Sequence, residues 1–120
     1  MSTDRRARAW VDVSPEALKR NYRTIQAAVG RGVRMVPMVK ADAYGLGMAE
    51  VVEVLRPLDP WAFGVATVEE GWCLRELGVQ RPVLVCSPLP PQSYEDAVEK
   101  GLTVSISDEG ALVRLREAAA

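Results

Sequence analysis

The chain has 120 residues, 48% of them apolar and 26% charged, with a formal net charge of −1. That is enough for one globular domain with a core, and it leaves no strong field to draw in nucleic acid or an anionic membrane. No apolar run approaches the length of a membrane span, and histidine is absent, so neither a Ser-His-Asp site nor a His-built zinc site can be assembled.

Residues 1–9 carry Arg5, Arg6 and Arg8 with no apolar run behind them, and read as a solvated tail rather than a secretory signal. Residues 10–120 read as the folded domain. Trp10-Val11-Asp12-Val13 is a short strand candidate. Ser14 and Pro15 then form a helix start, a capping hydroxyl followed by proline at the first helical position. Leu18, Tyr22, Ile25 and Val29 share one face of that helix, which Gly30 and Gly32 end. Residues 33–39 are almost continuously apolar, as in a strand covered on both faces. Pro37 cannot donate to a ladder, so a missing bond or a bulge is expected there.

Met48, Val51, Val52 and Leu55 predict a second helix, stopped near Pro57. Residues 61–66 predict the next strand. Thr67 and Glu70 then form a capping box for a helix carrying Cys73, Leu74 and Leu77 and ending at Gly78. A strand over 82–86 leads through a proline-rich turn to a short helix with Tyr94, Ala97 and Val98, closed by Gly101. Leu102, Val104 and Ile106 alternate with polar residues as a last strand, and Ser107 is the expected cap of a last helix through Leu112 and Leu115. Strands alternating with helices indicate an α/β fold with parallel strands. Periodicity alone does not separate an open sheet from part of a barrel.

The chemistry concentrates where the 33–39 strand ends. Lys40 follows Val39 directly, and Tyr44, Gly45 and Gly47 follow in a turn-like segment. Functional groups at the carboxyl end of a strand are how α/β enzymes present chemistry. An apolar setting favours the neutral amine, the form that attacks a carbonyl to make a Schiff base. Cys73 and Cys86 lack metal-ligand spacing and read as reduced thiols. Met38 and Cys86 lie near strand ends, where core packing is the simpler role for each.

The run Val39-Lys40-Ala41-Asp42-Ala43-Tyr44-Gly45-Leu46-Gly47 closely resembles the pyridoxal-phosphate lysine motif of the alanine racemase family. Trp10 to Leu18, Val65 to Gly71, Leu74 to Gly78 and Pro82 to Val85 are similar to flanking stretches of that family. The resemblance implies the first half of a (β/α)8 barrel, a fold whose eight strands take about 250 residues. It implies pyridoxal 5'-phosphate as cofactor, with Lys40 as both its anchor and the catalytic base on one face of the substrate, and with the Tyr44 hydroxyl on its phosphate. It also implies a cytoplasmic homodimer that interconverts L- and D-alanine for peptidoglycan precursors, with a partner subunit's tyrosine serving the opposite face. Asp42 would shape the loop, and Gly45 and Gly47 would supply turn geometry. Leu46 departs from the histidine that many members carry. On this reading the chain is an incomplete copy of a longer protein, expected not to racemise alanine alone. Other readings are a racemase for serine or several amino acids, a non-catalytic pyridoxal phosphate carrier, and an inert truncated domain. The Ala43-Tyr44-Gly45 continuation counts against the carrier.

Overall fold

The computed structural model describes residues 8–120. Its elements are α1 (Pro15–Val29), α2 (Lys40–Tyr44), α3 (Met48–Leu55), β1 (Phe63–Val65), α4 (Val68–Glu76), β2 (Val83–Val85), α5 (Tyr94–Glu99), β3 (Thr103–Val104) and α6 (Glu109–Ala118). The strands are parallel and lie in the order β1-β2-β3, with Phe63 level with Val83 and Leu84 with Thr103. A further parallel rung joins Met38 to Gly64 on the outer side of β1. Strand and helix alternate, so this is the expected α/β class.

Strands β1 and β2 read as unbroken apolar runs because both of their faces are covered, whereas Thr103 of β3 is exposed. Phe63, Val65, Val83 and Val85 are all buried, as are Val39, Val52 and Leu74 around them. Helix α4 packs on β1 and β2, α5 on α6, and α1 on α3.

Pro37 shapes the pairing as its chemistry requires. Gly64 N–H donates to Pro37 O at 2.9 Å and Val39 N–H donates to Gly64 O at 2.8 Å, a regular parallel rung. The preceding bond runs from Trp61 N–H to Met35 O at 3.0 Å. Two steps along one segment, Met35 to Pro37, therefore face three along the other, Trp61 to Gly64. That is the expected bulge, placed where proline has no N–H to offer. The Met38 thioether lies over Gly64, so a Cβ there would require the Met38 side chain to shift.

Four expectations are corrected. Residues 10–13 form no strand: Trp10 and Val11 are 69% and 77% exposed, and among the described residues no neighbouring segment supplies a ladder. The 33–39 stretch pairs through a single bridge rather than along its length, because the bulge at Pro37 interrupts it. Helix α1 begins as expected, with the Ser14 hydroxyl accepting Ala17 N–H, but only part of its apolar face is covered. Tyr22 is buried whereas Ile25 and Val29 are exposed, since α3 has eight residues against fifteen in α1. The cap of α6 is Asp108, not Ser107: Asp108 Oδ1 accepts Ala111 N–H at 2.8 Å, and the Ser107 hydroxyl donates to Asp108 Oδ2. Those two bonds, the Ala111 amide foremost, hold the Asp108 carboxyl below the usual carboxylate range. Of the expected tail, residues 1–7 lie outside the described residues; Arg8 and Ala9 are exposed.

Candidate active site at the carboxyl edge of the sheet

Parallel strands bring their carboxyl ends to one edge. Lys40 follows the Met38 rung there, Ala66 and Thr67 follow β1, and Cys86 and Ser87 follow β2. The edge is tied laterally. Cys86 N–H donates to Val65 O at 2.9 Å, and the Ser105 hydroxyl donates to Val85 O at 2.9 Å.

Lys40 emerges from a buried position. Val39 is fully buried, Lys40 is half-buried, and Ala41 is exposed. The chain then does something its composition does not announce. Ala41, Asp42, Ala43 and Tyr44 all have positive φ, at 50°, 53°, 54° and 57°. They wind one left-handed turn without a glycine. Each L-residue in that conformation costs roughly 1–2 kcal/mol, so four together cost on the order of 4–8 kcal/mol before any compensation.

The compensation is visible. Ala43 N–H donates to Val39 O at 2.9 Å, and Gly47 N–H donates to Asp42 O at 2.9 Å. The Asp42 side chain reaches forward, its Oδ1 accepting Met48 N–H at 2.7 Å and so satisfying a donor at the start of α3. Buried Ala43 fixes the inner side of the turn. Gly45 and Gly47, with φ of 84° and 94°, carry the chain out of it. Asp42, Gly45 and Gly47 thus shape the loop as expected of them.

Glu70 adds a clamp from the neighbouring junction. One carboxylate oxygen accepts Ala41 N–H at 2.8 Å, and the other accepts Ala66 N–H at 2.8 Å and Thr67 N–H at 3.3 Å. The Thr67 hydroxyl in turn accepts Glu70 N–H at 3.2 Å, completing the capping box of α4. Reading the sequence found the capping box and missed the bond to Ala41, because nothing local links positions 29 residues apart.

The turn brings Lys40 and Tyr44 together. Lys40 Nζ lies 6.0 Å from the centroid of the Tyr44 ring. Among the described residues Nζ makes no ion pair or hydrogen bond, while Lys19 and Lys100 are paired with Glu16 and Glu99. Tyr44 is 64% exposed, so its phenol is presented at the surface rather than packed among helices. Leu46 is exposed beside it in sequence. Met38 is half-buried against Gly64, a packing role as expected; Cys86, expected to pack in the core, is instead exposed, because it lies past the last buried residue of β2, with its thiol near Leu84 O. A primary amine unpaired among the described residues, beside an accessible phenol, is an arrangement able to capture an aldehyde.

Residues 13–120 match the family model described as alanine racemase, N-terminal domain. Alanine racemase 1 of Caldanaerobacter subterraneus subsp. tengcongensis is 37% identical over 98 residues, covering 82% of this chain and 25% of that protein. A serine/alanine racemase of Enterococcus gallinarum is 37% identical over 110 residues, covering 92% of this chain and 16% of that one. Among solved structures, an alanine racemase of Clostridium difficile superimposes with a TM-score of 0.83 at 27% identity, over 87% of this chain and 27% of that one. A histidine racemase of Leuconostoc mesenteroides, at 23% identity and a TM-score of 0.77, shares the fold. The chain spans about a quarter or less of the length of the relatives named here. The parallel strand–helix units seen here are accordingly those of a partial (β/α) barrel, and the chain belongs to the alanine racemase family, within its N-terminal domain.

Proposed function

We propose that this chain supplies the cofactor-holding lysine of a pyridoxal-phosphate-dependent amino-acid racemase acting on alanine. The observation that carries the reading is Lys40 Nζ, unpaired among the described residues, at a strand's carboxyl end beside an exposed Tyr44. The residues fit the cofactor: Nζ is the amine an aldehyde requires, and the exposed Tyr44 hydroxyl can donate to a phosphate. When bound, the cofactor ring withdraws electrons from the substrate α-carbon and so makes its proton removable. Lys40 would hold the cofactor through Nζ and, once released by the substrate amine, accept or return a proton at the α-carbon on one face. Exchange on both faces needs a second acid–base group opposite, which we assign to a tyrosine of a partner subunit in a cytoplasmic homodimer. Among the described residues no helix is long and apolar enough to cross a membrane. The Enterococcus relative, named a serine/alanine racemase, supports serine as a second substrate.

Borohydride reduction after incubation with pyridoxal phosphate, followed by peptide mapping, tests the assignment. The label is expected on Lys40 in preference to the ion-paired Lys19 and Lys100, and Lys40→Ala is expected to abolish specific attachment. Label on Lys19 or Lys100 with Lys40 unmodified would sink it. Tyr44→Phe is expected to weaken cofactor retention by about 1.5–3 kcal/mol, the energy of a hydrogen bond to a charged group. Unchanged affinity in a cofactor titration would remove Tyr44 from the site.

A further inference from the structure

We infer that Glu70 is a positioning residue for Lys40, aiming its side chain through the backbone rather than touching the cofactor. This rests on Lys40 being the cofactor lysine. A lysine's Cα–Cβ direction is set by the two peptide planes that flank it, because each plane is rigid. Both planes around Lys40 are pinned. The Val39–Lys40 plane is held through Val39 O, which accepts Ala43 N–H at 2.9 Å. The Lys40–Ala41 plane is held through Ala41 N–H, which donates to Glu70 at 2.8 Å. The first bond is internal to the left-handed turn and shares its strain. The second comes from outside it.

Glu70 is itself anchored at the far end. Its other oxygen accepts Ala66 and Thr67 N–H, backbone donors that do not depend on the Thr67 hydroxyl. One carboxylate thus joins two adjacent strand–helix junctions, and only a group with two acceptor oxygens and no hydrogen can serve both. Without it, Ala41 keeps the bond from Gly45 N–H to its carbonyl, but the Lys40–Ala41 plane loses the bond that reaches it from outside the turn, and the strained φ of 50° is less firmly held.

Glu70→Gln separates this role from simple capping. Glutamine serves in a capping box, so α4 keeps its start, but its one acceptor oxygen cannot meet both donor sets. Thr67→Ala is the converse control, since it removes the capping hydroxyl and leaves the carboxylate. Three readouts apply to the whole chain: hydrogen exchange at the Ala41 amide, the ratio of Lys40 to Lys19 labelling by pyridoxal phosphate and borohydride, and the visible circular dichroism of the attached cofactor. The cofactor is achiral, so that last signal reports a fixed orientation. In Glu70→Gln, Ala41 exchange is expected to quicken and the labelling ratio to fall, each on the order of tenfold, with loss of the dichroic signal. In Thr67→Ala all three are expected to stay near the unaltered values although the chain is less stable. Equal changes in both variants would show general loosening and overturn the role. Ala41 exchange unmoved by Glu70→Gln would overturn the clamp itself. A missing preference for Lys40 in the unaltered chain would overturn the cofactor reading, and with it the link to attachment, while Ala41 exchange still reports on the clamp alone.

Discussion

Two strand–helix junctions sit side by side at the carboxyl edge of the sheet, and they are built by opposite rules. After β1 the chain turns by the least costly route: extended Thr67, hydroxyl on the N3 amide, glutamate reaching back. After Val39 it turns through four left-handed residues, two of them alanines with nothing to gain from that conformation. The ordinary junction supports the strained one, because Glu70 completes a capping box and also holds Ala41. Strained backbone at the lysine and relaxed backbone beside it is the distribution expected where geometry serves a site.

The contrast predicts where the chain tolerates change. The largest effect should follow Ala43→Val. Ala43 is buried and left-handed, and a β-branched side chain is a steric outlier there. Overpacking alone costs typically 1–3 kcal/mol, so a loss of about 2 kcal/mol or more is expected in urea denaturation. A loss under about 0.5 kcal/mol, the range of ordinary surface changes, would mean that the turn is not held as described. Thr67→Ala should cost less, about 1 kcal/mol for a lost cap. A larger loss than for Ala43→Val would reverse the ranking of the two junctions.

How much of this was legible in the sequence follows the same division. Thr67 and Glu70 stand three apart before an apolar run, so the capping box could be read directly. Ser14 and Pro15, the apolar β1 and β2 segments and the difficulty at Pro37 were likewise local signals with local consequences. The left-handed turn was not legible, because two alanines and a tyrosine argue against it by propensity and only tertiary bonds enforce it. Asp42, Gly45 and Gly47 gave a partial hint, being residues that suit loops. The 10–13 strand failed for the converse reason. A short run of strand-favouring residues such as Trp10, Val11 and Val13 does not supply the neighbouring strand that a ladder needs. At the site, Lys40 and Tyr44 were legible through their motif, whereas Glu70's second role depended on a contact across 29 residues.

The smallest effect is also the sharpest, because its sign is at stake. Ala41→Gly and Ala27→Gly remove the same methyl group, one from the left-handed turn and one from α1, and both positions are exposed. In α1 glycine brings only its extra freedom in the unfolded chain, and the substitution should destabilise by roughly 0.5–1 kcal/mol. At Ala41 the same entropic cost applies, but glycine also removes the clash of Cβ with the backbone that costs an L-residue roughly 1–2 kcal/mol in that conformation. The net change should lie between about zero and 1.5 kcal/mol of stabilisation. Ala41 keeps its N–H in either variant, so the bond to Glu70 is untouched and backbone strain is isolated from clamping. Chemical denaturation of the two variants against the unaltered chain would measure the difference. Equal destabilisation at both positions would show that Ala41 is not strained in solution, and the distinction between the two junctions would be lost.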